Sequence, residues 1–180
     1  MTNEDQAFRS QKIKEGIYSN CTFYHCTFEK MRGSQFSFCT FEQCHIQDDN
    51  LQKSRIQQCI FKECKLVALP FFQCEKRFFS PEFQNSLLMS CNFAEMMMKK
   101  GIFQKCKLKE CFFTGTDLTS SDFSEADLEG TLFHRCNLTK ANFTDAINYA
   151  IDPRTNTITK ARFSLPEAAS LLNAFEIELS

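Results

Sequence analysis

Eleven cysteines and three histidines are the residues whose chemistry has to be settled first in this chain of 180 residues. Cysteine at this density can build a disulfide framework, hold zinc, or serve as a nucleophile beside a histidine base. Zinc sites take cysteine pairs separated by two residues. Here the nearest cysteines stand five apart, as in Cys21 and Cys26 or Cys106 and Cys111. Others repeat at twenty: Cys39 and Cys59, Cys44 and Cys64, Cys91 and Cys111. His25, His45 and His134 lie far apart, and none has a Cys or Ser at an offset that would make a nucleophile and base. The chain has no Gly-rich phosphate loop. The expectation is therefore no enzyme, no cofactor and no metal, with reduced thiols buried as small apolar residues. A disulfide between cysteines twenty apart is the alternative.

The elements that place these residues follow from one period. A bulky apolar residue stands at every fifth position from Phe83 to Phe143: Phe83, Leu88, Phe93, Met98, Phe103, Leu108, Phe113, Leu118, Phe123, Leu128, Phe133, Leu138 and Phe143. An earlier block repeats the spacing through Phe36, Phe41, Ile46, Leu51, Ile56, Phe61, Leu66 and Phe71, after Tyr18, Phe23 and Phe28. This accounts for a composition of 21 Phe without any Trp. Two residues before each centre the sequence prefers a small residue, such as Ser86, Cys91, Gly101, Cys106, Thr116 or Ala126. Residues two apart in extended backbone point to the same side, so both members of each pair face inward. A period of five matches neither helix nor plain strand. It matches a coil of short straight edges joined by tight corners, stacked so that successive coils share backbone hydrogen bonds.

Stretches such as TGTDLTSSDFSEADLEGTLF and CNLTKANFTDA resemble the pentapeptide-repeat family, over about residues 16 to 150. That resemblance implies an all-β fold, a right-handed quadrilateral parallel β-helix with four pentapeptides per coil. It implies about six coils, a rod about 30 Å long by inter-strand spacing. Cysteines twenty apart would then stack on one face.

The frame breaks near 29–35 and near 72–80, and both breaks are expected to bulge as loops. Residues 1–150 are read as the β-helix and 151–180 as a C-terminal module. In the latter, Ser164 and Glu167 form a capping-box pattern with Pro166 in the first turn, predicting a short α-helix from about Leu165 to Ala174. Leu171, Leu172, Phe175, Ile177 and Leu179 make an apolar group suited to capping the rod or to dimerisation. Net charge is −1, which excludes a global electrostatic case for binding nucleic acid or an anionic membrane. With no apolar leader or span, a cytoplasmic protein is expected. Charge is uneven: five lysines fall between Lys99 and Lys109, while Asp117, Asp122, Glu125, Asp127 and Glu129 follow without a base.

The layout resembles the topoisomerase-protecting branch of the family, the Qnr, MfpA, McbG and AlbG proteins. The resemblance implies a DNA-mimicking homodimeric rod that binds DNA gyrase or topoisomerase IV and protects it from quinolones or peptide toxins. By that resemblance the contacts would be Met31, Arg32, Gly33, Ser34 and Gln35, Lys76, Arg77 and Phe79, and the five acids from Asp117 to Glu129. The rival expectation is a pentapeptide-repeat scaffold whose partner is not a topoisomerase.

Overall fold

The structure, a computed structural model, describes residues 2–47, 50–175 and 177. The apolar centres line the inside of a four-sided parallel β-solenoid, with short strands stacked coil on coil. One face carries Asn3, Tyr18, Phe36 and Ile56 in register, and the next carries Phe8, Phe23, Phe41, Phe61 and Phe83. The third stacks Ile13, Phe28, Ile46, Leu66, Leu88 and Leu108, and the fourth Phe113, Phe133 and Ile151. We call these faces one to four. About seven four-sided turns result, flanked by a partial coil at each end. At about 4.8 Å per coil the rod is about 38 Å long, longer than the repeat count alone implied.

The alternation of Phe with Leu along the chain has a structural reason. Opposite faces receive the same residue type, so faces two and four are phenylalanine ladders and face three is aliphatic. On face two the rings stack without interruption from Phe8 to Phe163, with centroids 4.4 Å apart at the closest, Phe41 on Phe61. On face four Phe71, Phe93, Phe113 and Phe133 do the same. The two ladders meet edge to face in the middle, as Phe113 meets Phe123 at 89°. Offset stacking along a ladder and T-shaped contact across it are both favoured by the ring quadrupole.

The small inward residue does more than fill space. Ser54, Ser86, Thr116, Ser121 and Thr131 each donate a hydrogen bond to the carbonyl of a central residue one coil earlier, for example Thr116 Oγ1 to Phe93 O at 2.9 Å. Cys59, Cys64 and Cys111 point their thiols at the same kind of acceptor, at 3.3–3.5 Å. Cysteine therefore stands in for serine and threonine as well as for alanine. All eleven thiols are free and buried.

Most corners hold a residue in the left-handed region, with φ between 48° and 62° for the non-glycine cases. Most are long polar residues such as Lys100, Glu125 and Lys140, which pay the steric cost of that conformation. The corner is compensated by ladder hydrogen bonds from its own N–H, as from Lys140 N to Thr159 O at 2.9 Å.

Both frame breaks differ from expectation. Regular coils repeat at twenty residues, as Gln35 over Arg55. Across the first break the repeat is eighteen, Ile17 over Gln35, so residues 29–35 are a shortened side and not an insertion. Met31 takes the centre of that side and is buried, so no loop projects. Across the second the repeat is twenty-two, Cys59 under Pro81. Two 3₁₀ turns, Phe71–Gln73 and Lys76–Phe78, absorb the two additional residues.

The ladder also runs past residue 150. Leu132 pairs with Ala150 across a coil of eighteen residues, one of whose sides is shortened, and Asn142–Phe143 pairs with Arg162–Phe163. The fading pattern after Phe143 marks that shortened side and not the end of the solenoid. The expected α-helix is a 3₁₀ helix over Glu167–Phe175. Its capping box is not formed, because the two side chains serve the last coil. Ser164 Oγ accepts from Asp145 N–H at 3.0 Å, and Glu167 Oε1 accepts from Asn148 N–H at 2.8 Å. Those corner N–H groups have no further coil to bond, so the terminal segment satisfies them.

Candidate interaction surfaces

With a filled core, the functional surface must be built from the outward positions of the four faces. Among the described residues no group of three or more His, Cys, Asp or Glu is placed to hold a metal ion. No helix among them is long and apolar enough to cross a membrane. His25 is exposed, and His45 and His134 are half-buried on different faces, so the structure does not bring the histidines together.

Of the expected contact residues at the first break, Met31 and Ser34 are buried and belong to the core. Gln35 lies in a strand and is half-buried, which leaves Arg32 and Gly33 exposed. Gly33 has φ +74°, so its corner conformation favours glycine. At the second break Phe79 is buried against Phe71, with ring centroids 5.6 Å apart. Lys76 and Arg77 are exposed, and the ring of Phe78 lies 4.6 Å from the Arg55 guanidinium. An inward-pointing Met31 or Phe79 could touch a partner only if its coil opened.

The acidic segment is not a free strip. Its residues lie one coil below the lysine-rich segment, and the twenty-residue repeat sets the two in register. Lys99 pairs with Asp117 at 3.5 Å, Lys105 with Glu125 at 3.6 Å and Lys109 with Glu129 at 2.7 Å. Asp117 is pushed up by burial, but the Thr119 hydroxyl and N–H and the Lys99 ammonium outweigh that and hold it below the ordinary carboxylate value. Asp122 balances burial in the same way, accepting from Ser124 N–H, Gln104 Nε2 and Asn142 Nδ2. Asp127 accepts from Asn148 Nδ2 at 2.8 Å. Exposed ion pairs of this kind add little stability, yet each cancels much of the field a partner would feel.

The sequence pattern did not single out two other surfaces. Face four is uncharged over several coils and exposes Phe72, Phe112 and Leu132. On face one the outward position at Met97 is 56% exposed, where the repeat normally puts a polar residue. The run Met96-Met97-Met98 was the available signal, because three consecutive apolar residues cannot all face inward in a pentapeptide. At the end of the rod, Leu171 packs against the core, whereas Leu172, Phe175 and Ile177 are exposed. Leu179 lies outside the described residues.

A four-sided parallel solenoid with a large and a small inward residue in every five defines a class of protein. Within this solenoid, residues 103–147 carry the repeat of the pentapeptide-repeat family. The family profile for pentapeptide repeats matches residues 103–135 and 116–147, with eight copies. No curated protein sequence matches the chain. Among solved structures it is similar in fold to two trypsin-treated variants of QnrB1, a plasmid-mediated fluoroquinolone resistance protein. They are 18% and 16% identical, with TM-scores of 0.58 and 0.63, and the match covers 100% of both chains in each case.

Proposed function

We propose that the rod is a non-catalytic interaction module whose partner is a bacterial type II topoisomerase, DNA gyrase or topoisomerase IV. On this reading it protects that enzyme from quinolones or peptide toxins. The observation that carries the reading is the end-to-end correspondence in fold with a fluoroquinolone resistance protein, over 100% of both chains. The contact residues on this reading are the exposed ones: Arg32, Gly33, Lys76 and Arg77, with the acidic segment contributing where lysine does not mask it. The test is a gyrase supercoiling assay poisoned with ciprofloxacin or a peptide toxin, into which the purified protein is titrated. Restored supercoiling supports the reading, and Lys76→Ala/Arg77→Ala should then lower the rescue. No rescue together with no binding to gyrase removes it.

A second reading is a pentapeptide-repeat scaffold for a partner other than a topoisomerase. It is favoured by the pairing of Asp117, Glu125 and Glu129 with lysines, which deprives the rod of the acidic face that mimicry of DNA requires. In both readings we propose that two copies join through Leu172, Phe175 and Ile177, whose side chains are exposed at one end of the rod. Leu172→Asp should halve the mass in solution. An unchanged mass would leave the helix as an end cap alone.

A further inference from the structure

We propose that face one carries an open strand position that accepts an extended acidic peptide segment as an added β-strand. This goes beyond the topoisomerase reading and does not depend on it.

Strand pairing runs through the second frame break on faces two and three, and on face four Asn92 N–H to Leu69 O and Phe72 N–H to Asn92 O join the 3₁₀ turn to the next coil. On face one no backbone hydrogen bond among the described residues joins 76–80 to 97–99. Its paired strands end at Arg55–Gln57, and its pairing resumes only at Met97 with Asp117. The segment between, Lys76–Phe78, is a 3₁₀ turn and not a strand. The consequence falls on the next coil. One coil further on, Asp117 N–H donates to Met96 O at 3.0 Å, Asp117 O accepts from Met98 N–H and Thr119 O accepts from Lys100 N–H, both at 2.8 Å. The equivalent groups of Met97 and Lys99 are the Met97 N–H and the carbonyls of Met97 and Lys99. None of these three makes a hydrogen bond among the described residues. They form one edge of a strand and all point toward the same gap.

A cavity of about 270 Å³ opens at that gap, between Phe79–Glu82 and Met97–Gly101. Its volume suits about two to three residues of extended chain, the length of the rod's own strands. The floor is apolar, with Phe79 and Met98 buried beneath and Met97 half-exposed at the lip. The rim carries Lys100 and, already paired with Asp117 at 3.5 Å, Lys99, with Arg77 on the neighbouring turn and the carboxylate of Glu82 opposite. Lys100 and Arg77 have no carboxylate partner among the described residues, so the rim is net positive. Strand addition supplies the open N–H and carbonyls with partners, while alternate side chains meet the apolar floor and the basic rim. The occupant of stated chemistry is thus a short extended peptide alternating apolar and acidic residues.

The test uses the full chain and a fluorescein-labelled acetyl-Glu-Val-Glu-Val-Glu-amide probe, read by anisotropy at low salt. The expected result is saturable binding that slows amide exchange at Met97. It should weaken by at least about tenfold in Lys99→Gln/Lys100→Gln, which keeps every core and ladder group. Deleting Arg77 and Phe78 restores a twenty-residue coil, lets the chain's own backbone close the gap, and should abolish binding. Equal binding of the Lys-for-Glu peptide, unchanged affinity in the double lysine variant, or binding with no change in exchange at Met97 would each overturn the proposal. So would an absence of binding to the folded full-length protein.

Discussion

Phe123→Ala tests whether the aromatic ladder holds the rod together as a continuous element. Phe123 is 0% exposed, stacked on Phe103 at 4.7 Å and on Phe143 at 5.0 Å, with Phe113 and Phe133 edge-on at 6.0 and 5.7 Å. Truncating a buried Phe to Ala costs about 3–5 kcal/mol, from lost transfer energy plus the cavity left behind. Each aromatic pair adds about 0.5–1.5 kcal/mol beyond area, and four pairs are lost here, so the expected cost is at the top of that range, about 5 kcal/mol. The neighbouring coils are fixed by ladder hydrogen bonds on all four sides, which limits collapse into the space. Phe163→Ala is the internal comparison. Phe163 is half-buried at the end of the same ladder, with one stacked neighbour, Phe143 at 5.0 Å, and a tilted contact to Tyr149. Its truncation should cost about 1–2 kcal/mol. Urea unfolding followed by far-ultraviolet circular dichroism measures both, with the slope against urea showing whether the rod still unfolds as one unit. A cost below about 2 kcal/mol for Phe123→Ala, or no difference between the two sites, would refute the reasoning.

Three further outcomes follow from the thiols and the corners. Burial pushes Cys74 and Cys106 up to about 12, against which only the Ser86 backbone works in the case of Cys106. Their contribution to stability is complete below the unfolded thiol value of about 8.5 and is lost as pH rises from there toward 12. Under reducing conditions Tm should therefore fall between about pH 8.5 and 10.5, and a flat profile there would contradict the burial of these thiols. Native protein should give no rapid reaction with Ellman's reagent near neutral pH, and all eleven cysteines should react once it is unfolded. At the corners, Lys140 has φ +60° and makes no ion pair among the described residues. Lys140→Gly should leave stability unchanged or raise it by up to about 1 kcal/mol, while Lys140→Val should lower it; the reverse order in thermal unfolding would show that the corner is not strained.

Much of this molecule was legible along the chain. The five-residue period placed every centre from Phe83 to Phe143 inside, and the cysteines beside them, because inward and outward positions in a stacked coil are set by the local alternation of extended backbone. The frame breaks were legible as breaks but not as shapes. A spacing of eight between Phe28 and Phe36 reads equally as three residues too many for one side or two too few for two sides. Only the pairing of Ile17 with Gln35 distinguishes them.

What the sequence by itself determined is the solenoid: its repeat, its filled interior and the free state expected of its thiols. What only the tertiary structure decided is the surface. Whether Lys109 neutralises Glu129, whether Ser164 caps a helix or the last coil, and whether Met97 has a strand beside it depend on which residues lie one coil away. That distance is twenty residues in most of the rod but fifteen, eighteen or twenty-two at its irregular sides. Local pattern fixes which way a side chain points, and the accumulated register of all earlier coils fixes what it meets there.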